Sequence, residues 1–170
     1  PLRVNEIVEA AASGLRSRAE AEGVAIEIDF EQEGAIRGDS EKLRRVIENL
    51  ITNALDSFKT EAESREQGAS PAAPRIEILG GENLAGTEVW VRVLDNGSGV
   101  SEADRARIWS PFYTTKESGT GLGLALSRKT VEAHGGRIEL LDERPRGSEF
   151  VLSFPKDAGA KLNQEDSHVL

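Results

Sequence analysis

Three sets of residues in this sequence carry side chains or backbone suited to chemistry. Asn49 and Asn53 stand four residues apart in a long amphipathic stretch, so their amides share one helix face. Two stacked carboxamides beside an apolar stripe suit Mg²⁺, which prefers hard oxygen ligands and keeps some of its waters; the alternative is a pair of solvated surface amides. The run Asp95-Asn-Gly-Ser-Gly99 follows an apolar strand. A carboxylate at a strand end, beside glycines that let backbone approach a ligand, can accept from an exocyclic amine and so favour adenine over guanine; the alternative is an ordinary turn. Gly119-Thr-Gly-Leu-Gly-Leu124 opens a helix. Its free backbone N–H groups and the helix dipole would cradle phosphate, and otherwise it is a glycine hinge. Between the last two sets lies Pro111-Phe-Tyr-Thr-Thr-Lys116. Lys116 could reach a phosphate as a point charge, and Phe112 could anchor a mobile segment against the body; the alternative is a surface loop with one buried aromatic.

The elements that must hold these residues follow from periodicity. Ile7, Val8, Ala11, Leu15 and Ala19 predict a helix over 3–22, ended by Gly23. Residues 24–30 alternate as a strand and 35–37 form a second, short one. Asp39-Ser40 supply an N-cap for a helix over 41–59, with Leu43, Val46, Ile47, Leu50, Ile51, Ala54 and Leu55 inward. Residues 60–74 read as a frayed helix end and a mobile loop. Residues 75–79 and 88–94 predict a strand pair, and 121–134 a helix ended by Gly135-Gly136. Residues 137–141 and 148–154 predict a hairpin across the turn at 144–147. One domain is expected over 1–155, with 156–170 as a polar, disordered tail.

Composition narrows the field. A chain of 170 residues suits one domain with one core. The net charge of −9 argues against wrapping nucleic acid or lying on an anionic membrane. No cysteine is present, which excludes disulfides and thiolate metal sites. No apolar run reaches membrane-span length and no secretory signal opens the chain. With Pro1 first and no methionine anywhere, the chain reads as a fragment or a processed product. The glycine run is not a Walker A loop, because no Gly-Lys-Ser/Thr follows. Nor is it a Rossmann turn, because the polar segment 113–118 stands where a buried strand is needed.

The order of the pieces is more specific than any one of them, and it resembles the catalytic ATP-binding domain of two-component sensor histidine kinases, within the gyrase B, Hsp90 and MutL superfamily. Glu48-Asn-Leu-Ile-Thr-Asn-Ala54 is similar to the N box, Asp95–Gly99 to the G1 box, Pro111–Lys116 to the F box and Gly119–Leu124 to the G2 box. Gly147-Ser-Glu-Phe150 is similar to the last glycine motif. The resemblance implies an α+β fold, a two-layer α/β sandwich of the Bergerat type with a mixed sheet packed under three helices. It implies Mg-ATP as the bound cofactor, with Asn53 on the metal and Asn49 beside the phosphates. Asp95, Gly97 and Gly99 would form the adenine pocket, and residues 113–120 an ATP lid carrying Lys116. Gly119, Thr120, Gly121, Leu122 and Gly123 would hold the phosphates.

One position separates the relatives. Gyrase-like and Hsp90-like ATPases place a water-activating glutamate four residues before the magnesium asparagine; here Asn49 stands there, and an amide is no base at neutral pH. The resemblance therefore implies a protein-histidine kinase. Glu48 is rotated from Asn49 by roughly 100° and is a candidate for polarising an incoming histidine, or else a solvated glutamate. The acceptor would lie on a separate histidine-bearing dimerisation domain of the same protein, with a response regulator receiver domain downstream. The chain itself offers only His134, expected to cap its helix, and His168 in the tail. Many sensor kinases place a lysine and then an aromatic ring three and four residues after the magnesium asparagine; Asp56 and Ser57 occupy those places, which leaves one phosphate contact and one stacking ring in question. These departures and the short lid resemble the nitrogen-regulation group. The expected location is cytoplasmic, without direct membrane contact by this fragment. The rival readings are an ATP-binding sensing or scaffold module without transfer, and an anti-sigma-type serine kinase on the same fold.

Overall fold

Buried Val4, Ile7, Val8, Ala11, Ala12 and Ala19 recur on one face of helix α1 (Val4–Ala21), which is why that segment is helical. Gly23, at φ +70°, ends it: the Val24 N–H donates to Ala19 O at 2.9 Å and the Gly23 N–H to Glu20 O at 3.1 Å, the crossed pair that closes a helix on a left-handed residue. The structure is a computed structural model that describes residues 1–32, 34–64, 72–117, 119–141 and 146–159.

Strand β2 (Ala25–Phe30) runs parallel to β4 (Arg75–Glu82), with Ile28 opposite Ile78. Parallel neighbours need a long crossover, and helix α2 (Ser40–Ser64) lies within that connection. Strand β5 (Glu88–Asp95) pairs antiparallel with β4 and with β7 (Glu149–Pro155), and β6 (Arg137–Leu140) closes the far edge against β7. The resulting mixed sheet has the order β2-β4-β5-β7-β6. Alternation sends Ile76, Ile78, Val89, Val91, Val93, Phe150, Leu152 and Phe154 to the core. There they meet α1, α2 and helix α4 (Gly123–Ala133), giving the expected two-layer α+β architecture with three packed helices. Leu50, Ile51 and Leu55 of α2 are almost fully enclosed, each contributing about 1.5–3 kcal/mol by burial.

The N-cap of α2 is Asp39, whose Oδ1 accepts from the Lys42 N–H at 3.1 Å. Gly135 (φ +73°) and Gly136 end α4 as Gly23 ends α1. Several boundaries differ from the sequence expectation. Helix α2 continues to Ser64, and part of the expected mobile loop, 65–71, lies outside the described residues. Half of the turn expected at 144–147 does so too, at 144 and 145. Helix α4 begins at Gly123 rather than Gly121, because Gly121 is left-handed (φ +70°) and cannot continue a right-handed helix. A two-residue strand β1 (Leu2–Arg3) pairs with β3 (Ala35–Ile36), and a single-turn helix α3 (Glu102–Arg105) precedes the segment expected to form a lid. Neither carries enough periodicity to stand out in sequence. Beyond Pro155 the chain does not leave the body at once: the Lys156 and Asp157 N–H groups donate to Thr87 O and Ala35 O, each at 2.8 Å. Residues 160–170 lie outside the description.

Candidate functional site

The polar stripe of α2 borders its buried stripe. Asn49, Asn53, Asp56 and Ser57 recur at helical spacing, so they lie along one face over roughly 12 Å of helix. Together they meet three of the segments singled out by sequence. At the N-terminal end, Asn49 Nδ2 donates to the Ser127 hydroxyl of α4 at 3.1 Å. Gly123, the first residue of α4, lies so close that a Cβ there would stand 2.3 Å from Asn49 Oδ1. In the middle, Asn53 Oδ1 accepts from the Lys116 ammonium at 3.2 Å, and Asp56 Oδ2 accepts from the same nitrogen at 2.8 Å. At the C-terminal end, the Ser57 hydroxyl donates to Ala54 O and stands 3.5 Å from Asp95 Oδ1. A Cβ on Gly97 would be 2.1 Å from that hydroxyl, so glycine is what lets the turn after β5 lie against the helix.

Asp95 ends β5 and is 4% exposed. Its Oδ1 accepts from the Gly97 N–H at 2.9 Å and its Oδ2 from the Ser148 hydroxyl. A buried carboxylate needs such donors, and these fix its orientation. Gly99 packs against the carbonyl of Gly147, which joins the first and last glycine motifs.

The segment from Ser110 to Thr120 is tied down at both ends. The Tyr113 hydroxyl donates to Asp104 of α3, whose other oxygen takes the Ser101 hydroxyl. Those hydrogen bonds hold the Asp104 carboxyl below its ordinary value, and the Asp104 contact holds the Tyr113 phenol above its own. The Phe112 N–H donates to Gly121 O at 2.9 Å. Gly119 donates its N–H to Lys116 O at 3.3 Å, and Thr120 Oγ1 accepts from the Leu122 N–H at 3.4 Å. Among the described residues no side chain caps α4, whose N-cap position is Leu122; its leading N–H groups are therefore an anion-attracting helix end.

One expectation changes. Phe112 is no buried anchor: it is 76% exposed at φ +66°, and the aromatic that packs inward is Trp109, edge-on to Phe150. The Glu48 carboxylate faces Arg44 one turn earlier, at 3.6 Å. Ser127 is not singled out by sequence, and Ser57 and Ser148 only by position in or near a motif, because serine is common and only folding shows which hydroxyls meet Asn49 and Asp95. Asp56 and Ser57 take on local work at the two positions where the resemblance implies a lysine and a ring. Asp56 bridges Lys116 and Arg18, the latter at 2.7 Å. Burial pushes the Asp56 carboxyl up, but hydrogen bonds from Lys116 and Arg18 outweigh it and hold the group below its ordinary value. His134 is structural: Nδ1 contacts Thr130 O at 2.6 Å within its own helix, and Nε2 accepts from the Asp39 N–H at 3.0 Å.

Set beside known proteins, residues 38–158 match the family described as histidine kinase-, DNA gyrase B- and HSP90-like ATPase. The chain belongs to this family. Within it, sporulation kinase A of Bacillus subtilis is 32% identical over 91% of the chain, and the sensory histidine kinase/phosphatase NtrB of Azospirillum brasilense is 36% identical over 75%. The chain spans 23% of the first and 32% of the second, so it corresponds to one part of such proteins. The catalytic domain of histidine kinase ThkA superposes with a TM-score of 0.74 at 27% identity, covering 91% of this chain and 93% of that one. A nitrogen regulation protein, NtrY of Azorhizobium caulinodans, is 34% identical over 73% of the chain. The chain is thus a histidine kinase-type ATPase domain, with the Bergerat architecture that the order of its motifs implied.

Proposed function

We propose that this domain binds Mg-ATP along α2 and supplies the γ-phosphoryl group to a histidine on a separate dimerisation and phosphoacceptor domain, as one step of two-component signalling in the cytoplasm. The observation that supports this reading is the convergence on one face of α2: the start of α4 at Asn49, a cation at Asn53, and a buried, oriented carboxylate beyond Ser57. Those are the demands of phosphate, metal and base, in that order along one helix.

The residues present fit a magnesium nucleotide. Asn53 Oδ1 already accepts a cation, the Lys116 ammonium, so a hard oxygen is directed where positive charge is held. Asp95 offers acceptor oxygens only, which suits the amine edge of adenine. Gly119, Thr120, Gly121, Leu122 and Gly123 would bring backbone N–H groups to the phosphates, and Gly97 and Gly99 would shape the base pocket. Magnesium, when bound, would neutralise phosphate charge in the transfer. The work of the chain is then positioning: Asn53 would ligate the metal, and Asn49, lacking basic character, would line the phosphates without activating water. Water attack would be slow and the phosphoryl group kept for the histidine. Glu48 would act on that histidine only by leaving its contact with Arg44.

The test adds a separate histidine-bearing dimerisation domain to the chain with Mg-ATP and assays acid-labile phosphate. Transfer to that domain, with none to the chain alone, is the expected result, since His134 is committed to Thr130 and Asp39. ATP binding without transfer would favour a sensing or scaffold module, and acid-stable phosphate on an added partner a serine kinase.

A further inference from the structure

Two residues of the lid and α1 share one carboxylate of α2. Asp56 Oδ2 takes the Lys116 ammonium at 2.8 Å and Asp56 Oδ1 the Arg18 guanidinium at 2.7 Å. Arg18 is itself held by Glu22 at 2.9 Å, and Glu22 by Lys59 at 3.2 Å. Asp56 thus sits in a frame that fixes its orientation from α1. The consequence falls on Lys116, whose nitrogen also reaches Asn53 Oδ1 at 3.2 Å. An ammonium and a metal ion cannot both be first neighbours of that oxygen, because the two positive charges would repel at contact distance.

We propose that Lys116 is an internal stand-in for the metal: Asp56, oriented by Arg18, parks the Lys116 ammonium on Asn53 Oδ1, and Mg-nucleotide binds by displacing it. Asp56 is then a positioning residue that sets the threshold for lid release, and it couples that threshold to α1. The displaced lysine is free to turn to the phosphates, which carry more negative charge than the single carboxylate it leaves. This rests on the reading of Asn53 as the metal ligand given above. It also assigns a purpose to an acidic residue at a position where many sensor kinases carry lysine.

The experiment compares the parent chain with Asp56→Asn and Asp56→Glu by calorimetric titration with ATP, with and without Mg²⁺. Amide hydrogen exchange of residues 113–117 is followed in the absence of nucleotide. Asp56→Asn keeps the shape and can still face Arg18, but loses the ionic grip on Lys116. It is expected to tighten Mg-ATP binding by about two- to fivefold, the scale of a part-exposed ion pair. Exchange of the lid amides should be faster in the same variant, and Asp56→Glu should restore both values toward those of the parent. Weaker Mg-ATP binding in Asp56→Asn, or lid exchange unchanged from the parent, would overturn the proposal while leaving the ATP-binding function intact. A parent chain that binds no ATP would overturn the function itself.

Discussion

Replacing Asp95 by asparagine separates the part of this carboxylate that holds the fold from the part that would read the base. The Gly97 N–H at 2.9 Å can only donate, so the carbonyl oxygen of an introduced asparagine must take the place of Oδ1. The amide nitrogen then falls where Oδ2 now meets the Ser148 hydroxyl. A hydroxyl both donates and accepts, so it can turn to accept from that nitrogen. Both contacts of residue 95 are therefore kept, with only the Ser148 proton to be redirected, and the fold should lose little stability. Adenine should fare differently, because its exocyclic amine would meet a donor in place of an acceptor. One buried hydrogen bond replaced by a donor–donor contact costs about 1–3 kcal/mol, which is roughly 5- to 150-fold in Kd. Guanine presents a carbonyl at the same edge, so the ATP-to-GTP preference should fall further than ATP affinity alone. Calorimetric titration of both proteins with Mg-ATP and Mg-GTP measures this, with a thermal melt to show that folding is retained. An unchanged preference in Asp95→Asn, or a parent that binds the two nucleotides equally, would refute the reasoning.

Asn53→Ala should leave magnesium-free nucleotide binding largely in place and remove the increment that Mg²⁺ adds. Titration with and without the metal checks this, and a variant strengthened by Mg²⁺ as much as the parent contradicts it. His134→Ala should destabilise the domain by about 0.5–1.5 kcal/mol, because it removes the acceptor of the Asp39 N–H at the start of α2, an exposed group that water can then serve in part. Chemical denaturation reads that loss, and nucleotide affinity measured below the transition should change little.

The elements with strong periodicity were legible from residue order alone. The apolar stripes of α1 and α2 and the alternation in β4, β5 and β7 follow from the geometry of helix and strand, which repeats every few residues. The candidate site was legible as types and order: a pair of amides, an acid after a strand, glycines before a helix. Those signals are local, because a cap, a turn or a left-handed residue is decided within a few positions. Contacts across long sequence separations were not legible. Nothing local tells that Ser57, Ser127 and Ser148 are the hydroxyls that meet Asn49 and Asp95, or that Asp56 serves Lys116 on one side and Arg18 on the other. Phe112 shows the limit most clearly. Its aromatic character suggested an inward anchor, yet Gly121 holds its backbone in a left-handed turn that leaves the ring outside, and Trp109 packs in its stead. Composition and period determined which segments fold and which residues could do chemistry. Only the packing of α2 against the sheet and α4 decided which of those residues meet, because that depends on where distant parts of the chain come to rest.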